Sequence, residues 1–157
     1  MDLLSKEFAW FFTCAQKNSL RYLLIGGYAV NYYGYSRHTA DMDIWLAPTN
    51  ANKISFINTL LCMNYIESET EPLLQEDFTT YFKGTIGSES DKMDVLTMVH
   101  HNLSFDEAEK HKSIFEIETG VSINIVPYNF LKEMKLLSRR DKDLWDIARL
   151  EELRNLK

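Results

Sequence analysis

The sequence has 157 residues, a length that suits one domain, and its 45% hydrophobic content with 13% aromatics supplies a core and argues against disorder. A net charge of −6 argues against a long nucleic-acid partner, which needs a basic surface, but does not exclude a nucleotide brought to an acidic site by a metal. No run approaches about 20 uncharged apolar residues, and Met1 to Glu7 lacks the basic and apolar regions of a secretory signal, so neither a membrane span nor export is expected and a cytoplasmic protein is.

Leu4, Phe8, Phe11, Phe12 and Ala15 fall at helical spacing and predict a helix over 3–17, ended by Asn18-Ser19. Residues 21–25 read as a buried strand. Gly26-Gly27 then turns the chain into a short helix over 28–33, with Gly34 as its C-terminal cap. A loop over 35–40 carries Arg37 and His38, and a second strand covers 42–47. Pro48-Thr49-Asn50 starts a helix marked by Ile54, Ile57 and Leu61. A short strand at 64–68 and an acidic loop at 69–77 follow. Strands at 79–86 and 92–98 flank the turn-forming cluster Gly87-Ser88-Glu89-Ser90.

A polar passage over 100–112 holds a short helix from Ser104. Phe115 and Ile117, then Val121, Ile123 and Ile125, alternate on either side of Gly120, the signature of a hairpin. Pro127 opens a helix with Phe130, Leu131, Met134 and Leu137 on its buried face, and a last helix over 140–155 buries Leu144, Ile147 and Leu150 or Leu153. Strands and helices mix without regular alternation. The expectation is α+β: a mixed sheet with helices packed on it, in a single domain over 1–157 with its core at about 20–126 and C-terminal helices at about 127–155. Cys14 and Cys62 sit in apolar surroundings and are expected as reduced core thiols, as suits a cytosolic protein.

Asp41 and Asp43 stand two apart at the opening of the second strand, so both carboxylates project from one face. Two close like charges destabilise each other unless something positive lies between them, and a hard divalent cation such as magnesium suits oxygen ligands. Gly26 and Gly27 let a phosphate approach the backbone closely. Asp94 lies in the middle of an apolar strand, where an unpaired carboxylate is costly, and completes a three-carboxylate cage if that strand lies beside the second. The adjacent His100-His101 point apart and no H-x-x-x-H or C-x-x-C spacing exists, which argues against zinc.

Gly26-Gly27 after the first strand, Asp41-x-Asp43 on the next and Asp94 on a later one resemble the pattern of nucleotidyltransferases of the DNA polymerase beta superfamily. The chain looks more closely like minimal bacterial members, the abortive-infection toxin nucleotidyltransferases, in Gly27-Tyr28-Ala29, Arg37-x-Thr39-x-Asp41-x-Asp43 and the later Lys135, Arg139 and Lys142-Asp143-Leu144-Trp145-Asp146. Short antibiotic nucleotidyltransferases look similar in the first two segments and in length. Two positions depart from the pattern: Gly27 replaces a common serine, removing one hydroxyl contact to triphosphate, and Met42 replaces the usual isoleucine.

The resemblance implies transfer of a nucleotide from a nucleoside triphosphate, such as ATP, to an acceptor hydroxyl, with release of pyrophosphate. It implies two magnesium ions about 3.5–4 Å apart, held by Asp41, Asp43 and Asp94. Gly26, Gly27, Arg37 and Thr39 would contact the nucleotide, with Lys135 and Lys142 reaching it from the C-terminal helices. Arg139 and Asp143, four apart, read as a surface pair on one helix, and Asp143 and Asp146 as pins between the last helix and the sheet. The acceptor stays open among a small molecule such as an antibiotic, a tRNA end and a protein side chain. The competing expectations are a non-catalytic binding module of the same fold, an antitoxin or regulatory partner of another protein, and a metal-dependent phosphodiesterase.

Overall fold

The computed structural model describes residues 5–36, 41–88, 90–100 and 103–156. Among these, six strands form one sheet in the order β3-β4-β2-β1-β6-β5: β1 Tyr22–Ile25, β2 Met42–Leu46, β3 Lys83–Ile86, β4 Met93–Leu96, β5 Ser113–Glu118 and β6 Val121–Ile125. β1 runs antiparallel to β2 and parallel to β6, and β2 runs parallel to β4, so the sheet is mixed as expected. β1 is buried along its whole length because it lies inside the sheet with both faces covered. β5, at the edge, alternates between half-buried and exposed residues.

Seven α-helices among the described residues pack around this sheet: α1 Lys6–Lys17, α2 Gly26–Tyr32, α3 Asn50–Cys62, α4 Glu67–Thr70, α5 Phe105–Lys110, α6 Tyr128–Ser138 and α7 Asp141–Asn155. Ser5 caps α1 by accepting from the Phe8 N–H, and Phe8, Phe11, Phe12 and Ala15 are its buried stripe. Gly34 follows α2 with φ +116° and donates to the Asn31 carbonyl at 3.1 Å, the closing role the sequence predicts. No described helix is long and apolar enough to cross a membrane.

The segment after α3 differs from its expected strand and loop. Asn64 takes a left-handed conformation at φ +67°, and the Glu69 carboxylate accepts the Ile66 N–H at 3.0 Å, which starts α4 instead of a strand. α4 runs on into a 3₁₀ helix over Glu71–Gln75, with Pro72 in its first turn. β3 begins later than expected because the Asp77 carboxylate gathers the Thr79 N–H and hydroxyl into a turn.

Cys14 and Cys62 are joined in a disulfide, against the expectation of free thiols. The compartment argument carries no geometry: α1 packs on α3, and this brings the two Cα atoms to 5.7 Å. Removing a link across 48 residues is expected to lower stability by about 2–4 kcal/mol, checked by denaturant melts with and without reductant. Identical midpoints would show that the link contributes nothing.

Leu137 and Leu144, expected on buried faces, are exposed. On α6 the inward stripe is Leu131, Met134 and Lys135, and on α7 it is Asp143, Asp146, Ile147 and Leu150. The two helices thus turn charged residues inward at one end of the sheet, and apolar spacing alone could not reveal this.

Candidate active site

β2 and β4 pair in parallel with Asp43 opposite Asp94, and Ile25 of β1 lies opposite Asp43 on the other side. Side chains opposite one another share a face, as do residues two apart on a strand. Asp43 and Asp94 therefore stand on one face of the sheet, and Asp41, immediately before β2, is near enough to act on the Asp43 carboxyl. Asp41 lies 3.9 Å from the Lys92 ammonium, and Asp94 accepts the Thr85 hydroxyl at 2.8 Å. Burial, then the neighbouring Asp94 and Asp41, push the Asp43 carboxyl up to about 6, while Lys135 and Lys83 pull the other way.

Gly26, the residue after β1, has φ +69°, and a Cβ there would collide with the Asp43 carboxylate. The glycine is thus required twice, by its backbone angle and by the close approach. Gly26→Ala is expected to cost about 1–3 kcal/mol and to displace Asp43. A melt unchanged from the parent would contradict this.

Beside Asp43 and Gly26 opens a cavity of about 340 Å³, walled on its apolar side by Leu96, Leu131 and Met134 and on its polar side by Lys135, Ser138 and Arg140. Lys135 is buried, with its ammonium 2.9 Å from Asp143 and 3.2 Å from Asp146. Burial pushes the Asp143 carboxyl up, but hydrogen bonds from Arg140, Ser138 and Lys135 outweigh it and hold the group well below the usual carboxylate range. Asp143 and Asp146 fasten α7 to α6 through Lys135. Arg139 is not on a helix with Asp143: it sits between α6 and α7 at φ +55°, and Arg140 makes the pair instead, at 2.7 Å.

The structure brings Gly26, Asp43 and Lys135 to one cavity and sets Asp94 beside Asp43 on its sheet face, with Asp41 close by. Gly27 is buried behind the turn, and Lys142 is exposed on the first turn of α7, outside the cavity lining. Arg37 and Thr39 lie outside the described residues. Arg140 and Ser138 are contributors that sequence reasoning missed, because the break at Arg139 that aims them is a matter of one backbone angle.

Among the described residues, no three acidic, histidine or cysteine side chains are gathered closely enough to form a ready metal cage. The donor chemistry nonetheless fits a hard divalent cation: three carboxylates lie near one another, and Asp43 is pushed up first by burial and then by Asp94 and Asp41. A cation drawn in between them would relieve that repulsion.

No family model matches the sequence, and no curated protein matches it. Among solved structures, the lincomycin-bound crystal structure of the lincosamide antibiotic adenylyltransferase LnuA is similar at 16% identity with a TM-score of 0.50, over 96% of this chain and 98% of that one. At this identity the likeness speaks for the fold alone: helices packed on a mixed sheet, with C-terminal helices following it.

Proposed function

We propose that the chain is a magnesium-dependent nucleotidyltransferase that moves a nucleoside monophosphate from a nucleoside triphosphate to an acceptor hydroxyl. The observation that carries the reading is the placement of Asp43 and Asp94 side by side, with Asp41 close by, against the turn at Gly26. Magnesium, when bound, would neutralise the triphosphate and the developing charge of the leaving group. Asp41 and Asp43 would hold it, and Gly26 and Gly27 would let the triphosphate approach the backbone. Arg140, largely exposed on the opposite wall, offers positive charge to the phosphates, and Lys135 beside it is held by Asp143 and Asp146.

The acceptor oxygen attacks the α-phosphorus. A new O–P bond forms as the bond to the bridging oxygen breaks, and pyrophosphate departs. Asp94 lies beside Asp43 and takes the acceptor's proton. Its Oδ1 is already engaged by Thr85, which leaves Oδ2 for this work. The triphosphate donor is a cytoplasmic metabolite, so the reading includes a cytoplasmic location, where the Cys14–Cys62 link would face reduction.

The adenylyl transfer named for the structural relative makes ATP the first donor to test. Titration calorimetry with each of the four nucleoside triphosphates and magnesium is expected to show binding, and incubation with cell extract to release pyrophosphate and leave a labelled product. Failure to bind any of the four would overturn the reading and leave a binding module of the same fold.

A further inference from the structure

A second cavity, of about 390 Å³, adjoins the first and shares Met98, Val99 and His100 with it. Its floor includes Trp45, two residues beyond Asp43 on β2 and therefore on the same sheet face as the carboxylates. Two residues of strand span about 6.6 Å, so the cavity begins one side chain away from the proposed reaction centre. Trp45 is locked there: its indole N–H donates to the Thr97 carbonyl at 3.2 Å, and the Phe105 ring meets it edge-on with centroids 5.3 Å apart.

The wall is mostly apolar, with Leu103, Met98 and Pro48 beside the two rings. Its polar side chains are Thr49, Thr97, His100, Ser104 and Asp106. Thr49 and Ser104 cap α3 and α5, each accepting a backbone N–H through its side-chain oxygen. Accepting leaves each hydroxyl its own proton to donate. The acidic group in the lining, Asp106, is exposed and paired with Arg21 at 2.8 Å, so it turns to the solvent side and not into an apolar wall.

The geometry points to this second cavity as the acceptor site, built for a neutral small molecule with an apolar body and oxygens that accept hydrogen bonds, one hydroxyl of which reaches past His100 toward Asp94. The assignment rests on the nucleotidyl-transfer reading above. The volume is that of a small-molecule pocket and far below what a polymer end with its flanking residues needs. Its alignment along the carboxylate face explains how the acceptor would meet the donor: the triphosphate enters beside Lys135 and Arg140, and the acceptor enters from the Trp45 end.

Leu103 lines the second cavity and not the first, so it separates the two sites. The test uses the full chain, α-labelled ATP with magnesium, and a cell extract divided into a small-molecule ultrafiltrate and a macromolecular fraction. Label is expected in the ultrafiltrate. Leu103→Trp, which fills the cavity, is expected to cut that labelling by about tenfold or more while ATP affinity by calorimetry is unchanged. Leu103→Ala, which enlarges the cavity, guards against a misfolded tryptophan variant and is expected to raise the acceptor KM with the same ATP affinity.

Label confined to the macromolecular fraction, or labelling indifferent to both substitutions, would overturn the acceptor assignment alone. No binding of any nucleoside triphosphate by the parent protein would overturn the nucleotidyl-transfer reading and this assignment together.

Discussion

Asp43→Asn is expected to make the metal-free protein more stable at neutral pH while reducing nucleotidyl transfer to background. The Asp43 carboxyl is pushed from its ordinary 3.8 up to about 6 by burial and by Asp94 and Asp41. Between these two values the folded chain keeps a proton that the unfolded chain has released. Stability therefore falls as pH rises through this window, and the whole penalty is present above about 6. Each tenfold change in proton affinity is worth about 1.4 kcal/mol, which makes the penalty about 3 kcal/mol. Asparagine carries no charge to desolvate and is expected to recover about 2 kcal/mol of it.

The two readouts move in opposite directions, which is unusual for a substitution at a buried position. Chelated samples melted between pH 5 and 8 would show the parent losing ground to the variant as pH rises. Added magnesium is expected to raise the parent's melting temperature and leave the variant's unchanged, because a cation that binds the native state stabilises it. A variant less stable than the parent at neutral pH would show that Asp43 is structurally paired and not held for a ligand.

What the sequence discloses follows from how local each signal is. The apolar run Tyr22–Ile25, the alternation about Gly120 and the two-residue spacing of Asp41 and Asp43 are properties of single elements, and each is found in the structure. The glycine at 26 is readable as a turn, although the reason no other residue fits, the Asp43 carboxylate against its Cα, depends on a strand that follows a helix and a loop. Asp94 lies between these cases. Its setting marks it as unusual, but its place beside Asp43 depends on β4 joining β2 in parallel, a crossover that periodicity does not encode.

The C-terminal part is least legible because its inward face is charged. A helical stripe of leucines normally marks the buried side. Here Leu137 and Leu144 point out, and Lys135, Asp143 and Asp146 point in. The disulfide is a similar case, since two cysteines 48 apart meet only through the packing of α1 on α3.

Lys135→Met carries the largest expected loss of stability. The Lys135 side chain is 8% exposed, and the two carboxylates it meets are 1% and 2% exposed. Methionine keeps most of the volume and removes the charge, so the cost is electrostatic and not a cavity. Withdrawing one partner from such a buried group costs about 3–5 kcal/mol, which in a chain of this length lowers the melting temperature by about 10 °C. Asp143 retains Ser138 and Arg140, but Arg140 is largely exposed and cannot replace a buried ammonium.

The pH dependence has a definite sign. The Asp143 carboxyl is held below the ordinary range, so its contribution is present above that range and lost as pH falls through it toward the folded value. Without Lys135 the carboxyl is held down less, and acid unfolding is expected to begin at higher pH than in the parent. Lys135 also pulls Asp43 down, so the same substitution raises Asp43 further. Asp143→Asn added to Lys135→Met is expected to return part of the stability, since it removes one of the two buried negative charges, but none of the activity. A loss under about 1 kcal/mol for Lys135→Met, the size of an exposed ion pair, would mean that water reaches this cluster and that Lys135 is free to move toward a ligand at little cost.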